Sequence, residues 1–536
     1  MARFNRSVTL PPATPLLATT GARAVNPQGG TGFQREPKAE LFLLAASYLD
    51  GNRFYGTAEE QDNRFRELVH KLAVAEPEWT YELINWLRNG ANLRTIALMG
   101  AAEYVKARLD ANAPPLYVVN GQVTAENPYN LRTGVHRALV DAVLRRPDEP
   151  GEMLAYWLSR YGRAIPKPVK RGVADAALRM YNEKAYIKWD SEKASVRFAD
   201  VLELAHVPGT SGWRNALYSY ALDVRHHARK DIPVTLPTLT RRARLLAMPQ
   251  SQRAPYLLTP QASDELNGAG ITWEALSSWV GRALKGQEWQ AILPSMGLMA
   301  VVRNARNIDN AQVDPQALLP TFARLMDAEE VKRSRMLPFR FLSAYRHSHL
   351  RWHGALDAAL THSLSNVPAL TGRTLILVDR SGSMFCTVSE RSELTFADTA
   401  ALFGTALALR AQAADLVQFG SSSAPVQYAR NESPLQVMGR FGDMGGTYTA
   451  QAVQRWFNGH DRVIILTDEQ VAHYGSGPTA YVPTTTPVYT WNLAGYRLAH
   501  APAGPNRYSA GGLSDQSFSL IPMLEAASKG AWPWSK

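Results

Sequence analysis

The sequence of 536 residues predicts two parts: an α-helical repeat module, then an α/β domain with a doubly wound, mostly parallel sheet. Three observations predict it. Apolar residues recur at helical spacing through the first two-thirds, and short apolar runs bounded by turn residues alternate with a helical pattern in the last third. Charge divides at the same place: residues 1–370 hold 46 Lys+Arg against 35 Asp+Glu and residues 371–536 hold 12 against 12, so the formal net charge of +11 belongs to the first part.

Residues 1–35 are rich in Pro, Gly, Thr and Ala and predict a flexible tail; Leu10-Pro11-Pro12-Ala13-Thr14-Pro15 breaks the apolar stretch that a signal peptide would need. Residues 36–366 read as helices. Trp79, Leu83, Trp86 and Leu87 recur at i, i+4, i+7 and i+8 before the stop signal Asn89-Gly90, and Phe198, Val201, Leu202 and Ala205 repeat the pattern. Similar periodicity runs through 129–145, 152–160, 213–225, 273–284 and 337–348, and no strand alternation is expected in this part. More than 300 helical residues exceed one compact core, so stacked, irregular HEAT-like helix pairs are expected rather than a bundle.

Residues 161–250 carry 16 basic and 8 acidic side chains. A local excess of this size is the electrostatic footprint of a polyanion partner, most commonly a nucleic acid; the bland alternative is a solvated helix face. Arg225-His226-His227 and Arg241-Arg242-Ala243-Arg244 extend the basic region, and neither has the spacing of a zinc site.

In residues 371–536 the run Thr374-Leu375-Ile376-Leu377-Val378 is a buried strand delivering Asp379-Arg380-Ser381-Gly382-Ser383. A carboxylate and two hydroxyls spaced two apart make a partial cage for a hard cation such as Mg2+, which takes about six oxygen ligands in an octahedron. Gly445-Gly446-Thr447 supplies a turn that brings another hydroxyl, and Val463-Ile464-Ile465-Leu466-Thr467-Asp468 is a second apolar strand ending in a carboxylate. Ligands of open parallel sheets bind beyond the carboxyl ends of the strands, where both aspartates are expected. Further strands are expected at Leu416–Phe419 and Pro487–Trp491, and a helix between Leu394 and Gln412.

Asp379, Ser381, Ser383, Thr447 and Asp468 together resemble the metal-ion-dependent adhesion site of von Willebrand factor A domains. The resemblance implies that the serines bind the cation directly, the threonine joins in one conformational state, the second aspartate acts through water, and a partner's carboxylate completes the shell. At the scale of the chain, a helical module before such a domain resembles the Ro autoantigen family, which carries a TROVE module. The matching segments are Met296–Asn304, Lys167–Asp175, Asp200–His206 and Gly512–Phe518, spread over about residue 36 to the end.

That resemblance implies a toroid of helical repeats followed by the von Willebrand factor A domain. It implies that small noncoding RNAs of the Y type bind the basic outer surface, and that single-stranded ends of misfolded or decaying RNAs enter a central hole. A tethered exoribonuclease is a further implied partner. By position the outer face falls on Lys170, Arg171, Lys184, Lys188, Lys193 and His206, and the hole on Arg303 and Arg306. His206 lies at the edge of its helix's apolar face, where a core histidine is the alternative.

Catalysis is not expected: the sequence has no phosphate-cradling Gly-x-x-x-x-Gly-Lys-Ser/Thr loop, no nucleophile elbow and no paired carboxylates left for a second metal. The rival from another class is a metal-dependent protein-binding adaptor of an AAA-type ATPase. Cys386 is the single cysteine, excluding an intramolecular disulfide, and no apolar run approaches the ~18 residues of a membrane span. A monomeric cytoplasmic protein is expected.

Overall fold

The computed structural model describes residues 23–25, 31–33, 37–47, 58–127, 129, 131, 133–227, 231–388, 394–468, 477–493, 506–511, 517–528 and 532–534. The expected tail, and residues 512–516 of one matching segment, lie largely or wholly outside them. The described chain forms two compact units. One comprises Arg66–Gly297 and Asn310–Leu318; the other gathers the described residues of Met1–Phe65, Leu298–Asp309 and Leu319–Ser535.

The first unit is helical, for the reasons the pattern supplies. Pro77–Asn89 has its proline in the first turn, where a missing N–H costs nothing, buries Trp79, Leu83, Ile84 and Leu87, and stops at Gly90, whose N–H donates to the Trp86 carbonyl. Phe198–Ala205 buries Phe198, Val201, Leu202 and Ala205 as its spacing requires. The expected helix in 273–284 is Trp273–Val280, ended by Gly281 in the left-handed region at φ 80°.

Helix Val135–Val143 packs on Lys167–Met180, which packs on Phe198–Ala205. Gly172 permits the first of these contacts, because a Cβ there would lie 2.7 Å from Val140 Cβ and 2.8 Å from the Arg137 carbonyl oxygen.

Within the expected tail, β1 (Arg23–Val25) pairs antiparallel with β2 (Thr31–Phe33). The expectation of no strands in residues 36–366 is overturned by β3 (Tyr117–Val119), which pairs antiparallel with β4 (Gln122–Thr124). The second hairpin turns at Asn120-Gly121, both residues at positive φ (51° and 80°), the backbone that a two-residue turn needs to match strand twist.

In the other unit six strands form one sheet: β5 (Leu370–Asp379), β6 (Ala411–Phe419), β7 (Ser423–Pro425), β8 (Arg462–Thr467), β9 (Val488–Asn492) and β10 (Arg507–Gly511), in the order β10-β9-β8-β5-β6-β7. All pairings are parallel except the short edge pair β6–β7. Helices cover both faces, so β5 from Thr374 onward and the whole of β8 are buried. On one face Leu375, Leu377, Val417, Val463 and Ile465 pack with Ala452 and Val453 of helix Thr449–Trp456. On the other, helix Phe396–Arg410 lies on β5, with the Phe403 ring tilted against Trp491 (5.2 Å) and stacked on Phe518 (4.5 Å).

From β5 the chain goes first to β6 on one side and later to β8 on the other. The carboxyl ends of β5 and β8 therefore flank a topological switch point, the place where open parallel sheets bind ligands. Helices Pro338–His347 and His353–Ser363 belong to this unit: Phe339 stacks on Phe518 (5.7 Å), and Ser433 Oγ donates to the Asp357 carboxylate.

Candidate metal centre and basic helical surface

Four segments meet beyond the carboxyl ends of β5, β6 and β8. Asp379, the last residue of β5, is fully buried; its Oδ1 accepts from the Ser381 N–H (2.8 Å) and its Oδ2 from Thr467 Oγ1 (2.7 Å). Ser381 Oγ and Ser383 Oγ lie 3.3 Å apart. Adjacent ligands of octahedral Mg2+, at about 2.1 Å from the metal, sit about 3 Å from each other, so the two hydroxyls fit one edge of such a shell.

The loop that carries Thr447 is fastened to this one by main-chain bonds from Gly382 N–H to the Gly445 carbonyl (2.8 Å) and from Met444 N–H to the Arg380 carbonyl (2.9 Å), and to the turn after β6 by Ser421 N–H to the Met444 carbonyl (2.7 Å). Gly445 makes the turn at φ 78°, and Thr447 is half-buried. Asp468 is buried one residue past the end of β8, not its last residue as expected, and Thr467 holds the strand's final position.

Burial pushes the Asp379 carboxyl up to about 6, and the neighbouring Asp468 charge adds to the rise. Among the described residues no Lys or Arg side chain forms an ion pair with Asp379. Two buried carboxylates with convergent hydroxyls are the donor set of a hard divalent cation, whose charge would offset their mutual repulsion. No cluster of three or more His, Cys, Asp or Glu forms a metal site among the described residues, so any cation here rests on hydroxyls as well as acids.

Thr467 and Ser421 are not singled out by the sequence, although each holds this site in shape. Thr467 is adjacent to Asp468 and has a hydroxyl, which is the signal the sequence offers for it. Ser421 Oγ accepts from the Gly446 N–H (2.7 Å), a contact across 25 residues that no spacing reveals.

The six residues expected on the outer basic face all lie in the first unit. Lys170 (half-buried) and Arg171 (exposed) are on helix Lys167–Met180, Lys184 and Lys188 are exposed on helix Glu183–Trp189, and Lys193 is exposed in the following loop. His206 is exposed at the end of helix Phe198–Ala205, in the left-handed conformation at φ 53°; the core alternative for it falls.

Five neighbouring arginines are neutralised: Arg137 pairs with Asp175, Arg179 with Asp141, Arg197 with Asp190, Arg225 with Asp200 and Arg244 with Glu265. Among the described residues none of Lys170, Arg171, Lys184, Lys188 and Lys193 forms such a pair. Lys184 Nζ contacts Asn267 Oδ1 (3.4 Å), and the cations of Lys188 and Arg146 lie over the Trp189 ring, 5.0 and 4.7 Å from its centre. Arg303 and Arg306, both exposed and one turn apart on helix Leu298–Asn310, belong to the other unit.

Comparison with known proteins agrees with this architecture. Residues 269–351 match the TROVE domain family. No curated protein matches the chain. Among solved structures, that of the Deinococcus radiodurans Ro (RSR) protein superposes with a TM-score of 0.66 at 18% identity, covering 92% of this chain and 100% of that one. Identity at this level speaks for the fold. Residues 269–351 are thus similar to the TROVE domain, and the chain as a whole has the fold of the Deinococcus radiodurans Ro protein.

Proposed function

We propose that this protein binds RNA through its helical part, with small noncoding RNAs of the Y type on the surface formed by Lys170, Arg171, Lys184, Lys188, Lys193 and His206. In this reading the helices close into a toroid, and single-stranded ends of misfolded or decaying RNAs enter its hole past Arg303 and Arg306. The protein acts in RNA quality control or as the subunit that tethers an exoribonuclease through RNA. It works in the cytoplasm as a monomer and carries out no catalysis of its own. The sheet-bearing domain acts as a von Willebrand factor A domain. Mg2+ there is held by Ser381 and Ser383 directly, with Asp379, Thr447 and Asp468 around it, and it presents a site for an external acidic group.

The observation that carries this reading is that Lys170, Arg171, Lys184, Lys188 and Lys193 meet no carboxylate among the described residues, whereas Arg179, Arg197, Arg225 and Arg244 of the same stretch are each paired with one. Cations already bound to carboxylates offer little to a polyanion, whereas free ones release counterions when phosphate arrives. Replacing Lys170, Arg171, Lys184 and Lys193 together by Ala is expected to weaken RNA binding and to flatten the slope of log affinity against log salt, by roughly one unit for each phosphate that is no longer neutralised. An unchanged slope in the quadruple variant would remove this surface from the proposal. Co-purification separates the adaptor reading, which requires an RNA-free preparation bound to an ATPase.

A further inference from the structure

Arg380 stands between two residues of the metal centre, Asp379 and Ser381, yet its side chain turns away from them into the protein and is 8% exposed. A buried guanidinium persists only where its donors are satisfied. Among the described residues no ion pair with a carboxylate supplies this; main-chain carbonyls do. Nε donates to the Gly442 carbonyl (2.7 Å) and Nη1 to the Ala397 carbonyl (3.0 Å), while the guanidinium lies 4.8 Å from the Phe385 ring centre and 5.8 Å from that of Phe441.

These contacts belong to three different segments: the end of the metal loop, the start of the loop that carries Thr447, and the first turn of helix Phe396–Arg410. The main chain of Arg380 repeats the pattern, donating to the Phe419 carbonyl (2.8 Å) and accepting from the Met444 N–H (2.9 Å). Five residues after Gly442 comes Thr447, and Ser421 fastens the far end of the same loop at Gly446. A planar cation with donors in fixed, divergent directions suits such a junction; a lysine, with one nitrogen, does not reproduce it.

We propose that Arg380 is the positioning residue of the metal centre: its guanidinium clamps the Thr447 loop onto the Asp379–Ser383 loop, so that the threonine is held at the site and not recruited to it. The proposal rests on the metal-centre reading above. Two measurements on the full chain test it separately from that reading.

The first is amide hydrogen exchange without metal. Arg380→Ala is expected to speed exchange across residues 442–448 by about tenfold or more while Ile464, Ile465 and Leu466 stay protected. Unchanged exchange in the loop, with the strand still protected, overturns the clamp. The second is Mn2+ affinity by electron paramagnetic resonance. Arg380→Ala is expected to lower it about tenfold, as removal of a supporting residue does, and to lower it no further in a chain already carrying Thr447→Ala. Additive effects would show that Arg380 does not act through Thr447, and the positioning role falls.

Should the wild-type chain bind no Mn2+ at all, the metal-centre reading fails together with the role given to the clamp, and the exchange result alone reports on the loop junction. Arg380→Lys repeats both measurements should the alanine variant not fold; it keeps the charge and the stem, and full retention of wild-type behaviour in it overturns the need for a guanidinium.

Discussion

Asp379 has both carboxylate oxygens engaged by hydrogen bonds that fix its orientation. Asp379→Ala is expected to abolish Mg2+ binding in calorimetry while leaving RNA affinity within a few fold, because the acid-free lysines are in the other unit. Loss of both in a folded variant would show the cation bridging to phosphate. A second residue carries a pH dependence. His136 has a buried Nε2 without a hydrogen-bond partner, and burial, with Arg108 close by, pushes its imidazole down to about 4. A histidine depressed in the folded state contributes its full stability above the unfolded value of about 6.5, and loses it as pH falls through that value toward 4. The wild-type chain should therefore lose about 2 kcal/mol between pH 8 and pH 5 through this group, and His136→Leu should remove that part of the loss in denaturant titrations at the two pH values. Equal losses in both proteins would assign the acid sensitivity elsewhere.

Elements carry the next layer. Helix Lys167–Met180 presents Lys170 and Arg171, and its seating depends on Gly172 lying against Val140 and the Arg137 carbonyl. Gly172→Ala forces backbone and a branched side chain apart, an overpacking that costs about 1–3 kcal/mol, and should lower the melting temperature and weaken RNA binding together. A variant with unchanged melting would mean that the two helices separate freely. Much of this level is legible in the residues. Apolar spacing locates the helices around Trp79 and Phe198, and continuous apolar runs locate β5 and β8. The hairpin at Tyr117–Thr124 escapes such a reading, though Asn120-Gly121 between Val119 and Gln122 carries the turn signal, because strands of three residues are too short to establish an alternation. The extent of β6 is also understated by its sequence: the first half, from Ala411, is small and polar and is held in the sheet by pairing with β5.

At the scale of the molecule the proposed strand-entry role makes a distinct demand. A passage that admits one strand excludes an A-form duplex about 20 Å wide, so structured RNAs with a single-stranded 3′ end should bind far better than the same RNAs with that end paired to an oligonucleotide. Arg303→Glu with Arg306→Glu should weaken the tailed species selectively in competition assays. Equal affinity for tailed and paired RNAs would leave the outer lysines as the whole RNA surface.

The residues by themselves determined the two structural classes and the strands that end at Asp379 and before Asp468, because local spacing and the continuous hydrophobicity of a twice-covered strand are written along the chain. Net charge was legible too, but its availability was not: whether an arginine meets an aspartate 25 or 38 residues away depends on how helices pack. The same holds for Arg380, which lies along the chain between two residues of the candidate metal centre and which packing turns into a junction of three segments. Tertiary structure alone decided these pairings, since the cost of burying a charge is settled by whichever carbonyls and carboxylates the fold brings within hydrogen-bonding distance.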